Sequence, residues 1–400
     1  MGKLLNFEYA CIQGTYWMIY GVVSSFASVF LLAKGYSNAE IGIILAVANI
    51  TAVILQPVIA DLADRSRRVT VIGITEIMTI MMMVMTVGML AFSKKSLGLG
   101  VIFVLLIAWH TVLQPLINSL TFKLEESGIH INFGVARSLG SLAYSVFMAI
   151  LGTLVENYGT EMMPLSGEII LVMLLISLFL TGKQYKKTKD FNIEQGIIKK
   201  ETEENEKIGL LCFIRRNKMF FLVNAGVAGL YFSNSILNNY MMQIVSDVGG
   251  TSEDMGRIFS VMAFLEIPTM VFFDRLRKRF SCQLMMKVAA IGFTVKIGIC
   301  FMATSVSAIF AAQFLQIVSF ALFLPAMVKF IDEIMDKGEA VKGQALFTTM
   351  ITITTIFSSL AGGVILDNFG AKTLTFISTV ITAAGAVIII ATVGRIHTKS

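Results

Sequence analysis

Apolar runs of about 20 residues, the length of one bilayer-spanning helix, recur along this whole chain. They begin near residues 8, 40, 69, 97, 134 and 168, and again near 219, 256, 282, 306, 343 and 371. In a chain of 400 residues, runs of this number and length leave little room for anything else. With 56% hydrophobic residues, 14% charged residues and a mean hydropathy of +0.78, the chain is too apolar for an ordinary water-soluble domain. The expected class is an all-α membrane protein with twelve spans, whose principal partner is the lipid bilayer.

The middle of the chain differs. After Gly182 comes a polar stretch rich in Lys and Glu, running to about Lys207, followed by a short apolar patch that ends at Arg215-Arg216. This reads as a linker over 184–217, between a first set of six spans in 1–183 and a second in 218–400. Lys and Arg counted in the loops fix the expected orientation, because cytoplasmic loops hold the excess. With the N-terminus inside, 25 fall on the inner side and 5 on the outer. Both termini and the linker are therefore expected in the cytoplasm, and the chain in the cytoplasmic (inner) membrane. Met1–Phe7 lacks a charged region followed by a small-residue cleavage site, so the first apolar run is expected to remain as a span.

Composition and motif also exclude several function classes. The net charge of +6 sits in membrane-flanking loops, which argues against nucleic acid as a partner. Cys11, Cys212, Cys282 and Cys300 are scattered, with no CxxC pair and no nearby His, so they read as packing residues rather than a metal or redox site. His110, His130 and His397 are isolated, and no P-loop, GxSxG or HExxH occurs. An enzyme is not expected, nor a cofactor, and the chain is expected to work as a monomer.

The two halves echo each other, as parallel transporter repeats do. The second run ends in Pro57, six residues, Asp64-Arg65 and then Arg67-Arg68; the eighth ends in Pro268, five residues, Asp274-Arg275 and then Arg277-Lys278-Arg279. The same device at the second position of both halves points to duplication.

These residues carry a family resemblance. Ala60-Asp61-Leu62-Ala63-Asp64-Arg65-Ser66-Arg67-Arg68 resembles the loop signature G-x-L-A-D-R-x-G-R-R of the major facilitator superfamily. Ala60 stands in place of the first glycine, and the second is replaced or deleted at Arg67. The resemblance implies the major facilitator fold, with twelve transmembrane helices in two pseudo-symmetric six-helix bundles, and secondary active transport by alternating access. It also implies a gating role for Asp64 and Arg65, and by the repeat for Asp274 and Arg275, through charge-assisted bonds at helix ends.

A narrower likeness lies at the start of the fifth run. Phe133-Gly134-Val135-Ala136-Arg137-Ser138-Leu139-Gly140 is similar to the F-G-x-x-R-x-x-G segment of lactose-permease-like symporters, in the sugar and nucleoside proton-symporter branch. That likeness implies that Arg137 faces the solute. The departures bear on specificity. Where that family places a carboxylate in the fourth span this chain has Asn118, and where its tenth span carries Lys, His and Glu this chain offers Gln313, Gln316 and Ser319. A lactose-type site is absent.

A charge at the bilayer centre costs about 2.5–3.5 kcal/mol on insertion scales, so ionisable residues within the runs are functional candidates. Glu266 in the eighth run and Lys296 in the ninth are the expected proton-coupling pair, with Glu76 in the third a further acid. Gln13, Trp17 and Tyr20 share one face of the first helix at i, i+4 and i+7, and Asn234 and Asn238 lie in the seventh. Aromatic faces beside amides suit a neutral polar or ring-bearing solute. The function expected is proton-coupled symport of a small organic solute, driven by the proton gradient. Its rival is a drug/proton antiporter, which the 24 methionines and 30 phenylalanines would serve through an adaptable apolar cavity.

Overall fold

The computed structural model describes residues 2–65, 70–125, 128, 130–194, 218–335 and 337–396. Arg67, Arg68, Cys212, His397 and most of the expected linker lie outside these residues, as do the side chains of Asp64 and Arg65. The described chain is helical throughout and divides into two compact units, Met1–Thr202 and Glu203–Ser400.

In the first unit, α1 (Gly2–Tyr20) passes through a π turn at Gly21–Ser25 into α2 (Ala27–Ala33). Then follow α3 (Asn38–Arg65), α4 (Val71–Met89), α5 (Leu97–Glu125), α6 (Phe133–Tyr158) and α7 (Met162–Glu194). Polar side chains start several of these helices by satisfying free backbone N–H groups. Ser37 and Glu40 form a reciprocal box at the head of α3, in which the Ser37 N–H donates to Glu40 Oε2 at 2.9 Å and the Glu40 N–H to Ser37 Oγ at 3.2 Å. Thr70 and Asn132 accept from the first turns of α4 and α6.

In the second unit, α8 (Lys218–Asp247), α9 (Ser252–Arg277) and α10 (Cys282–Met302) precede α11 (Val306–Ala312). A 3-10 turn at Gln313–Gln316 separates α11 from α12 (Phe320–Ile334), and α13 (Lys337–Thr392) completes the unit. Gly370 interrupts α13 at φ 78° and ψ 176°, a region that glycine alone adopts without strain. It falls where the sequence places the join between the eleventh and twelfth apolar runs.

Ten helices of the described residues are long and apolar enough to cross a membrane. The bent pair formed by α1 and α2 makes an eleventh span, and the Gly370 break divides α13 into two. The chain is thus a multi-pass membrane protein with twelve spans. Large apolar side chains such as Ile54, Val84, Ile169, Phe179 and Val387 stand exposed, as they must where the solvent is hydrocarbon.

Inside the second unit, α8 packs along α13 through glycines. A Cβ on Gly229 would stand 2.7 Å from Gly385 Cα, and one on Gly226 2.9 Å from the Gly385 carbonyl oxygen, so the two backbones touch. Thr382 adds a hydrogen bond to the Gly229 carbonyl at 3.3 Å. Further along, α8 leaves helical geometry at Tyr240 (φ −126°, ψ 22°). There Asn239 donates to Ser359 Oγ at 3.0 Å and the Tyr240 hydroxyl to the Ser359 carbonyl at 2.5 Å.

Candidate functional site

The polar centre of the second unit is built where a span is interrupted. Ser319, with φ −104° and ψ −103°, keeps the 3-10 turn from running into α12. The carbonyls freed by such a break need other partners, and Thr269 on α9 supplies one by donating to Ile317 at 3.4 Å. On the other side Gly292 of α10 lets the break approach closely, since a Cβ there would stand 2.8 Å from the Val318 carbonyl oxygen.

Three side chains meet at this break. Lys296 on α10 is 1% exposed, and its Nζ donates to Gln316 Oε1 at 2.5 Å. The amide of Gln316 in turn donates through Nε2 to Glu266 Oε1 on α9, at 2.8 Å. The sequence nominated Glu266 and Lys296 as a pair and Gln316 as a cavity residue; the structure puts Gln316 between them. An ammonium can only donate and a carboxylate can only accept, so the side chain that bonds both at once needs an acceptor and a donor, and an amide has one of each. Gln313, one turn earlier, is fully buried and donates to the Ile309 carbonyl at 2.8 Å. The Ser319 hydroxyl is buried and has no hydrogen-bond partner among the described residues.

The first unit gathers aromatic rings around one cation. The Arg137 guanidinium lies 3.9 Å from the centroid of the Trp17 ring and donates through Nη1 to Ser141 Oγ at 2.9 Å. Cation–π contacts of this kind contribute about 0.5–2 kcal/mol, more where water is excluded. Tyr16 and Tyr20 meet Trp17 edge-on at 5.4 and 5.6 Å between centroids. Behind them His110 stacks on Tyr16 at 4.4 Å, and Tyr144 shares a 2.8 Å hydrogen bond with Ser25. The sequence read His110 as isolated and did not single out Tyr144 or Ser25, since nothing in their spacing reveals that these elements converge there.

The expected stripe on the first helix divides in two. Trp17 and Tyr20 are half-buried, whereas Gln13 is 1% exposed. Its amide donates to the Tyr9 hydroxyl at 2.8 Å and to Asn118 Oδ1 at 3.3 Å, so Gln13 and Asn118 here join α1 to α5. In the second unit, Asn234 and Asn238 are half-buried on α8. Of the expected gating residues, Asp274 and Arg275 are exposed at the end of α9, with the Arg275 guanidinium 5.2 Å from the Phe272 ring centroid. Among the described residues no group of three His, Cys, Asp or Glu side chains could hold a metal ion.

The MFS_1 like family model matches residues 9–377. The chain belongs to this family of major facilitator transporters. It is a secondary transporter that moves a small-molecule substrate across the membrane, and not an enzyme. A relative from Bacillus subtilis (strain 168), the uncharacterized transporter YwbF, is 22% identical over 373 residues, covering 90% of this chain and 87% of that one. Among solved structures, the nucleoside transporter NupG superposes with a TM-score of 0.75 at 13% identity, over 99% of this transporter and 100% of that chain. A bacterial homologue of the iron transporter ferroportin, in an inward-facing state, gives 0.71 at 15% identity, over 99% and 100%. At these identities the likeness establishes the fold: two six-helix halves in one chain.

Proposed function

We propose that this transporter carries a small, neutral, ring-bearing organic solute in symport with protons, and that Glu266 is the proton site. The observation that carries the reading is the chain from Lys296 through Gln316 to Glu266 at the interrupted span. A carrier coupled to protons needs a group whose charge changes within the cycle. A carboxylate taken out of water is such a group, and a counter-ion held one amide away gives it a second arrangement to adopt when it is neutral. On the first unit, the exposed parts of Trp17 and Tyr20 offer faces on which a ring can stack. Arg137 beside them offers a donor to a hydroxyl or carbonyl. The solute classes to screen first are nucleosides, the substrates named for NupG, then sugars, with aromatic acids as the charged comparison, by the rise in thermal stability that a bound ligand produces.

In this proposal the chain spans the cytoplasmic membrane as a monomer, with both termini and the 184–217 linker inside, as the excess of Lys and Arg supports. Gating at that face is assigned, by the sequence repeat, to Asp64 and Arg65 in the first half and to Asp274 and Arg275 in the second. The deciding experiment is uptake into proteoliposomes under an imposed pH gradient. Glu266→Gln should lose uphill accumulation while keeping solute exchange down its own gradient; full pH-driven accumulation by that variant would remove Glu266 from the mechanism.

A further inference from the structure

The outward face of α4 and α7 is apolar, with Ile80, Val84, Ile169 and Ile176 all exposed. In a spanning protein such a face meets lipid. A cavity of about 430 Å³ opens in it, lined by Ile80, Met83, Val84, Val87, Leu175 and Glu168. Five of these six are hydrocarbon or thioether, and the sixth is an acid. Glu168 Oε2 is shielded from solvent and accepts no hydrogen bond among the described residues. An acid in a lipid-facing groove, with an oxygen awaiting a donor, is an exception to the pattern in which intramembrane charges face the bundle interior or pair with one another.

Depth narrows what could supply the donor. Glu168 lies six residues into α7, about 9 Å from its start at 1.5 Å per residue, and Val87 lies two residues before the end of α4. The groove therefore opens near the boundary between headgroups and acyl chains. Lipid tails are as apolar as the five side chains that would receive them, so the tail confers little preference and the headgroup decides. An ionised carboxylate only accepts. A primary ammonium brings both positive charge and N–H donors. A choline brings charge without a donor, and a glycerol headgroup brings donors under a net negative charge.

We propose that the groove between α4 and α7 is a specific lipid site, in which Glu168 bonds the primary ammonium of a phosphatidylethanolamine whose acyl chain lies along Met83, Val84 and Leu175. This site is separate from the polar centre around Gln316, and its occupancy does not depend on which solute is carried.

The test is native mass spectrometry of the full chain in detergent, titrated separately with phosphatidylethanolamine, phosphatidylcholine and phosphatidylglycerol of matched acyl chains. The intact protein should retain phosphatidylethanolamine over each of the others by about fivefold or more, the scale of one charge-assisted hydrogen bond. Glu168→Gln should bring the three lipids to near parity. Stepwise N-methylation of the headgroup, measured on the unaltered protein, should lower retention with each N–H removed. Val84→Trp, which fills the groove and leaves the acid in place, should also abolish the preference. Equal retention of the three lipids by the intact protein overturns the proposal, as does an undiminished preference in Glu168→Gln or retention indifferent to methylation.

Discussion

Replacing Gln316 by leucine isolates the bridge between Lys296 and Glu266 with little change of volume. The substitution removes two hydrogen bonds, of 2.5 and 2.8 Å, each with a charged partner. Bonds to charged groups contribute about 1.5–3 kcal/mol apiece. Lys296 is 1% exposed, so no bulk water takes the place of the lost acceptor, and the loss lies at roughly 3–5 kcal/mol. At about 2–4 °C per kcal/mol for a unit of this size, the apparent Tm of the detergent-purified protein should fall by roughly 6–20 °C. The decisive quantity is the coupling. Lys296→Met removes the group that most needs the amide, so adding Gln316→Leu to it should cost less than Gln316→Leu alone, by at least about 1 kcal/mol. Thermal unfolding of the two single variants and the double variant, under one lipid and detergent condition, gives the cycle. Effects that add to within about 0.5 kcal/mol would refute the reading that these side chains act as one unit.

Two further outcomes follow from other contacts. Gly229→Ala should destabilise by about 1–3 kcal/mol, because the new methyl would stand 2.7 Å from Gly385 Cα, whereas Gly298→Ala, whose methyl would meet Thr379 Cγ2 at 3.7 Å, should fall within about 0.5 kcal/mol of the unaltered protein; thermal melts of the pair separate a backbone clash from a general intolerance of alanine. Arg137→Lys keeps the charge and loses the planar face over Trp17, so the melting temperature should fall by a few degrees at most and solute affinity by about tenfold, and an unchanged affinity would remove Arg137 from the solute site.

The spans were legible because hydrocarbon imposes a length and a composition that no other solvent does. Runs expected from 97, 282 and 306 begin at Leu97, Cys282 and Val306. Most of the others start earlier than the apolar signal, whereas α4, expected near 69, starts later, at Val71. The eighth span is expected near 256 and begins at Ser252, behind a Thr251–Asp254 capping box. Glu168 was not singled out by sequence: the sixth run is expected from about 168, whereas α7 begins at Met162. The basic halves of the repeat were visible as strings of residues, but the role of Gln316 was not. Hydropathy fixes which residues are in the membrane and leaves the rotation of each helix free, and Glu266, Lys296 and Gln316 come from three separate elements. The break before Phe320 gave no signal either, because no proline or glycine marks it; the one proline nearby, Pro325, lies inside α12.

The glycine seam between α8 and α13 has a mechanical meaning. Where two helices meet through side chains, each can slide by exchanging one set of rotamers for another. Where Gly226 and Gly229 lie against Gly385 there are no rotamers to exchange, so this stretch of the two helices behaves as a single stiff beam. Bending in α8 is then concentrated beyond the beam, at Tyr240, where the helix is already out of regular geometry. Glu266, Lys296 and Gln316 sit on α9, α10 and the interrupted span, none of which belongs to the beam. In the proposed coupling, the groups whose charge would change are thus mounted beside a stiff strut rather than on it.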